Sequence, residues 1–360
     1  MITNEELALI WFDYNGVSFS KLEKILREFT KIDDIFNIKI TKNANFAKFD
    51  AEEIKEKLLS ENFEKFREKV EDEFYKYNIT PVTFVSKDYP QKLKTIDTPP
   101  IVLYTRGDVS LLSKKSISIV GTRKPSDYGK IVCDRFVKVL SGSGLVTVSG
   151  LAYGIDTCVA EATLKFGGKG IAVLGGGLHS IYPNQNKALA KRIEENGLLV
   201  SEYRPGVNPA KYSFIQRNRI VAGLGLGTLI IEAGKNSGTM STARCAIEQG
   251  KELFVVPGNI TSPQSEGTNN LIDEIPDTFT ISPDRILSRL GIEKKEEKKL
   301  GAQVNLTEAT ILSVLAEGEL DFDRLADVTG ILPSELSAAL IKLEMFGLVK
   351  KGNSNTYFKV

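Results

Sequence analysis

The sequence predicts an α/β fold: a parallel sheet with helices on both faces, set between a small helical segment and a C-terminal segment of helices and a hairpin. Three observations predict it. Six short runs rich in Val, Ile and Leu alternate with single helices between Ile117 and Val256, and strands apolar on both faces need a sheet covered on both sides. Before Pro81 the apolar residues recur at helical spacing instead. After the mixed-charge run Ile292-Glu-Lys-Lys-Glu-Glu-Lys-Lys-Leu-Gly301 a new apolar pattern begins, which reads as a solvated linker and a further domain. The expected divisions are 1–78, 79–290, a linker at 291–304, and 305–360.

In the first division Asn4-Glu-Glu starts a helix whose Leu7, Ile10 and Trp11 share a face. A second helix is expected from Ser20 to Phe29, and a long one from Asp50 to Tyr77. The helix–Gly16–helix opening resembles a degenerate helix-hairpin-helix or sterile-alpha-motif-like unit. With one glycine in its turn, a packing or partner role fits better than DNA contact. Val82–Val85 and Ile101–Tyr104 are strand-like. The alternating strands are Ile117–Val120, Leu145–Val148, Gly170–Leu174, Leu198–Ser201, Thr228–Ile231 and Leu253–Val256. The helices between them are Asp127–Leu140, Asp156–Lys165, Asn186–Glu195, Phe214–Ala222 and Met240–Gln249.

Ligands of such sheets sit outside the carboxyl ends of the strands, so those ends carry the functional reading. The first is Gly121-Thr-Arg-Lys124, with Ser126 or Asp127 able to cap the next helix. The second is Ser149-Gly-Leu-Ala-Tyr-Gly-Ile-Asp156, where Asp156 is a cap. The third is Gly175-Gly-Gly-Leu-His-Ser-Ile-Tyr-Pro183, where His179 packs or caps its loop. The fifth is Glu232-Ala-Gly-Lys-Asn-Ser-Gly-Thr239. Glycine turns and helix N-termini offer free amides to anions. The candidate phosphate-binding loops are therefore Gly121 and Thr122, Gly150, Gly177, and Ser237-Gly238-Thr239. Arg123, Lys124, Lys211, Arg217, Arg219 and Lys235 add charge, and Tyr212 and Phe214 lie among them. Cations interleaved with rings suit a single-strand nucleic-acid binder. If their segment is helical, one of Arg217 and Arg219 faces in and the other out, and each has a rival reading as an ion pair with Glu202 or Glu232.

Composition narrows the field. The 47 basic and 46 acidic residues nearly cancel, so a nucleic-acid surface has to be a local patch. A single histidine argues against a multi-histidine metal site and against most nucleophile–histidine chemistry. Neither GxGxxG with its acidic partner nor GxxxxGK[ST] is present, which disfavours dinucleotide and P-loop sites. The three cysteines lack CxxC spacing and read as buried thiols in a reducing compartment. With no signal-like start and no bilayer-length apolar run, a cytoplasmic location is expected.

The motifs Ile119-Val-Gly-Thr-Arg123, Ser149-Gly-Leu-Ala-x-Gly-Ile-Asp156, Tyr182-Pro-x-x-Asn186, Ser201-Glu-Tyr203, Arg217-Asn-Arg-Ile-Val-Ala-Gly-Leu224, Ser237-Gly-Thr239 and Val256-Pro-Gly258 resemble those of the DNA-processing protein A (DprA, or Smf) family. The resemblance spans about residues 80–290. It implies an extended Rossmann-like fold that binds single-stranded DNA without cutting it and needs no cofactor. It also implies a homodimer that helps load RecA during natural transformation, with single-strand-binding protein as a further candidate partner. Arg123, Lys211 and Phe214 would form the pocket, with the Ser237-Gly-Thr amides on phosphate. Two departures stand out: Gly-Thr-Arg replaces the usual Gly-Ser-Arg, and Asn184 follows Tyr-Pro where many relatives are basic. The rival reading is a phosphoribohydrolase-type enzyme using Glu232 and Arg219, although its Pro-Gly-Gly-x-Gly-Thr signature is missing. The C-terminal helices and hairpin resemble a winged helix. Five Lys/Arg against eight Asp/Glu over residues 301–360, and an exposed helix side of Ser334, Glu335, Ala338 and Lys342, favour a partner or regulatory module over groove reading.

Overall fold

The computed structural model describes residues 2–26, 52–294, 305–352 and 356–359. The chain forms two compact units, Met1–Lys295 and Glu296–Val360. The first opens with helices α1 (Asn4–Tyr14), α2 (Phe19–Leu26), α3 (Glu52–Ser60) and α4 (Phe63–Lys76). Then follow β1 (Thr80–Thr83), α5 (Gln91–Lys94), β2 (Val102–Gly107), β3 (Ser116–Val120), α6 (Asp127–Gly142), β4 (Val146–Ser149), α7 (Ile155–Lys165) and β5 (Gly170–Leu174). α8 (Lys187–Asn196), β6 (Leu198–Ser201), α9 (Lys211–Leu224), β7 (Gly227–Ile230), α10 (Thr239–Glu248), β8 (Glu252–Val255), α11 (Glu266–Glu274) and α12 (Pro283–Arg289) complete it.

The strands form one eight-stranded sheet in the order β1-β2-β6-β5-β4-β3-β7-β8. β3 to β8 are mutually parallel, as their alternation with helices requires. The sheet is not parallel throughout. β1 and β2 form an antiparallel hairpin, and β2 runs antiparallel to β6. The expected parallel sheet is thus β3 to β8, and the two lead-in strands add an antiparallel edge to it.

Side chains alternate between two cores. Val146, Val148, Ile171, Val173 and Val255 face one way, with Ile220 and Val221 of α9 and Ala243 and Ala246 of α10. Ile117, Ile119, Leu229 and Phe254 face the other, with Phe136 and Val137 of α6 and Val159 of α7. The N-terminal helices cover the same side farther along, where Val102 and Tyr104 of β2 and Leu199 of β6 pack with Trp11, Val70 and Phe74. They belong to the same compact unit as the sheet. α1 is buried from Leu7 to Phe12, which gives it a packing role. The expected Asp50–Tyr77 helix is two helices, because Asn62 breaks it and caps α4 by accepting from the Lys65 amide at 3.1 Å. The ends of the expected second and third helices at 27–29 and 50–51 lie outside the described residues, as does 295–304 of the expected linker.

The second unit contains α13 (Leu306–Val314), β9 (Leu320–Asp321), α14 (Phe322–Thr329), α15 (Pro333–Met345), β10 (Val349–Lys351) and β11 (Thr356–Lys359). Its sheet runs β10-β11-β9, one short strand more than the expected hairpin. Asn305 and Glu308 form a capping box on α13, and Lys342 of α15 reaches Glu308 at 2.7 Å. Lys342 is therefore engaged inside the unit.

One polar contact between α1 and β2 has a pH consequence. The Tyr104 hydroxyl donates to Asp13 Oδ2 at 2.6 Å. Burial pushes the Asp13 carboxyl up to about 7, against the opposing pull of that hydroxyl. Between the unperturbed value of 3.8 and about 7 the folded chain holds a proton that the unfolded chain has released. This contribution to stability is complete below the lower value and is lost as pH rises through the window. The stability of Asp13→Asn minus that of wild type should therefore rise across the window, by at most about 1.4 kcal/mol per pH unit. Urea denaturation at a series of pH values measures it, and parallel curves would refute the assignment.

Candidate nucleic-acid interface

Strand order reverses at β3, whose neighbours are β4 on one side and β7 on the other. Connections leave in opposite directions there, which opens a crevice beyond the strand ends. The crevice is a cleft of about 1000 Å³. The loops after β3, β4 and β7 and the start of α9 line it.

The β3 loop is clamped from both sides. The Thr122 amide donates to Glu232 O at 2.7 Å, and the Thr122 carbonyl accepts from the Ile155 amide at 3.1 Å. Gly154, at φ +80°, backs directly onto this loop: a Cβ there would lie 2.3 Å from Thr122 O and 2.6 Å from the Arg123 carbonyl carbon. Arg123 and Lys124 project exposed from the clamped turn. Ser126 caps α6 by accepting from the Gly129 amide at 3.1 Å, while Asp127 sits in the first turn. Ser126 also donates to Glu232, from its amide at 2.9 Å and its hydroxyl at 2.5 Å. Glu232 is 1% exposed, so these bonds satisfy a carboxylate that burial would otherwise penalise.

The β4 loop builds the floor. Asp156 does not cap α7, whose cap position is Gly154. Its buried carboxylate braces the loop, accepting from the amides of Gly150 at 3.0 Å and Ala152 at 3.4 Å. Burial pushes this carboxyl up, while the Arg217 charge and the two amides pull it down. Between them Leu151 holds φ +53°, a conformation that costs a non-glycine residue about 1–3 kcal/mol. The Asn186 amide group stabilises this turn by donating to Leu151 O at 3.0 Å and Thr157 Oγ1 at 2.9 Å.

α9 supplies the facing wall. Ala210 has no side-chain cap to offer, and Ser213 takes that role: its hydroxyl accepts from the Ala210 amide at 3.0 Å and donates to Gly175 O. Lys211 is thereby placed, exposed, at the helix mouth. Phe214 lies one turn on, with its ring 5.5 Å from that of Tyr182. Across the cleft, the Ser237 and Thr239 amides are taken by Gly234 O and Ser237 Oγ. The Gly238 amide has no partner among the described residues. Lys235 lies 3.7 Å from Glu266 on the exposed rim.

The cleft thus gathers Gly121, Thr122, Arg123, Lys124, Gly150, Lys211, Phe214, Ser237, Gly238 and Thr239. Three of the expected residues sit away from the exposed rim. Arg219 is not on the rim: its guanidinium forms a two-pronged pair with Glu202 at 2.8 and 2.5 Å and donates to Thr98. Arg217 lines the cleft from beneath, 4% exposed, with Nη1 donating to the carbonyls of Gly150 and Val173. Gly177 lies outside the lining, and its amide donates to Val207 O at 2.9 Å. Packing sets all three, since the helix interior and the loop beneath it take every side that the strand-end rule leaves ambiguous. The pair needed for a hydrolase is not assembled either, because Glu232 is held by Ser126 and Arg219 by Glu202. The Lys211 helix starts three residues before the expected Phe214. His179 accepts from the Gly206 amide at 3.1 Å and secures its loop. Tyr182, Leu151 and Asn186 were not singled out as site residues. For Tyr182 the available signal was an aromatic next to proline at the end of a glycine-rich loop.

A sequence model of the family described as DNA recombination-mediator protein A matches residues 80–291, and that of the DprA winged helix domain matches residues 295–352. The DNA processing protein DprA of Bacillus subtilis is 40% identical over 227 residues, covering 62% of this chain and 76% of the relative. The X-ray structure of DNA processing protein A from Streptococcus pneumoniae superposes with a TM-score of 0.67 at 33% identity, covering 81% of this chain and 99% of that one. A structure of DNA processing protein A from Helicobacter pylori, solved in a study of its single-stranded DNA binding mode, gives 0.54 at 32% identity over 59% of this chain and 97% of that one.

Gly154→Ala should be destabilising by more than the ~1 kcal/mol of an ordinary glycine exchange. It combines a positive φ with a clash against backbone. A thermal melt that leaves Tm unchanged would contradict the clamp.

Proposed function

The chain belongs to the DNA recombination-mediator protein A family, and we propose that its cleft holds single-stranded DNA by the sugar–phosphate chain and leaves every bond intact. The observation that carries this reading is the convergence of Arg123, Lys124 and Lys211 on one cleft beside the Phe214 and Tyr182 rings. Exposed cations contact phosphates without regard to sequence, and rings accept any base face. The crevice holds no free carboxylate placed beside a nucleophile. Among the described residues no group of three or more His, Cys, Asp or Glu side chains could hold a metal ion. A mediator of recombination has to bind a strand firmly and hand it on unbroken, which suits attachment by screened charge.

The handing-on step points to a recombinase of the RecA type as protein partner, with single-strand-binding protein as a competitor for the same strand. A homodimer would double the number of phosphates held by one assembly. Strand uptake during natural transformation supplies such a substrate, in the cytoplasm. Among the described residues no helix is long and apolar enough to cross a membrane. The acidic balance of the second unit suits a protein partner better than a groove.

Two variants test the reading through fluorescence anisotropy on an oligothymidylate. Arg123→Ala with Lys211→Ala should abolish measurable binding at moderate salt and, at low salt, reduce the slope of log K against log salt by about 1.4, about 0.7 per phosphate contact. Phe214→Ala should cost about 1–3 kcal/mol and leave that slope unchanged. Tight binding by the double variant would reject this cleft as the site.

A further inference from the structure

We infer that the cleft ends in a subsite for a phosphate monoester, with the Arg217 guanidinium as its floor. The inference rests on the single-stranded DNA reading above and adds to it a preference for the end of the strand. Arg217 is more than nine-tenths buried and lines the cleft. A guanidinium carries five N–H donors. Here Nη1 donates to Gly150 O and Val173 O, whereas Nε is buried without a partner. No carboxylate forms an ion pair with Arg217 among the described residues. Asp156, the acid whose charge it feels, turns its oxygen to the amides of Gly150 and Ala152 instead. Burial lowers the Arg217 pKa while the Asp156 charge pulls it back up, and the group remains a cation with no paired carboxylate on its own donors. Buried polar groups left without partners are rare and need an explanation. An anion in the cleft that Arg217 lines would answer the guanidinium's charge.

The shape of the site selects the anion. An internal phosphodiester carries one charge and continues as chain in both directions, so it lies across the rim at Arg123 and Lys211. A terminal monoester has a single linkage, three free oxygens and about −1.5 to −2 charge at neutral pH. Only such a group ends the chain and can turn free oxygens toward a guanidinium in paired hydrogen bonds. Its extra charge counts for most where water is excluded. The same chemistry is offered by the phosphorylated end of a DNA strand and by a free nucleoside monophosphate.

The test uses the full-length protein and oligothymidylates of one length, labelled internally, with a terminal hydroxyl, a terminal phosphate, or that phosphate capped as a methyl ester. The phosphate-ended strand should bind about tenfold more tightly than the other two, the effect of one charge-assisted contact. In Arg217→Gln that ratio, taken within the variant, should fall toward one. If the variant does not fold, the three wild-type affinities decide alone. Competition by AMP but not by adenosine would support the subsite and identify a free nucleotide as an occupant. An end effect without AMP competition would support it with the strand end as occupant. Equal affinity for all three ends, with no AMP competition, would overturn the subsite and leave strand binding standing. No binding of any oligonucleotide would remove the underlying reading as well.

Discussion

The cleft depends on how the backbone of one residue is held. Thr122 donates to the carbonyl of Glu232 after β7 and accepts from the amide of Ile155 at the start of α7. Two loops that leave a reversing strand order would otherwise splay apart. The Thr122 bonds join them across the gap and fix where Arg123 and Lys124 emerge. Gly154 makes the arrangement possible, because a Cβ at its position would occupy the space of the clamped backbone. Ser126 extends the clamp by capping α6 and satisfying Glu232 together.

With the backbone fixed, charge can be sorted by depth. Acids near the cleft are all engaged: Glu232 by Ser126, Asp156 by loop amides, and Glu202 by Arg219. Arg123, Lys124 and Lys211 are left exposed on the rim. A chain of net charge +1 can in this way present a strongly positive local field to a polyanion. The aromatic wall of Phe214 and Tyr182 adds a surface that does not depend on salt.

Much of this was legible from residues alone. Doubly apolar strands alternating with helices gave the parallel core, and the strand-end rule gathered Arg123, Lys211 and Ser237-Gly-Thr239 on one edge. What escaped had physical reasons. The antiparallel edge comes from the two lead-in strands, and neither β1 nor β2 has a period that distinguishes its direction. The N-terminal helices looked independent because sequence spacing shows which face is apolar but not which surface it meets. Arg217 and Arg219 are two residues apart on α9, so helical geometry separated them. Which one met Glu202 and which reached the floor was decided by tertiary contacts. Gly177 fitted the glycine-loop pattern, yet its amide was claimed by Val207. Asp156 resembled a cap because it lies beside a helix start, whereas its buried carboxylate answers amides of the preceding loop.

The central claim is that a single strand lies in this cleft, held by phosphates. A crystal structure of the protein with a bound oligothymidylate tests it most directly. The account predicts strand phosphates within hydrogen-bond reach of Arg123 and Lys211 and a base against the Phe214–Tyr182 wall. A strand bound elsewhere, on the opposite edge of the sheet or on the second unit alone, with the cleft unchanged, would contradict it.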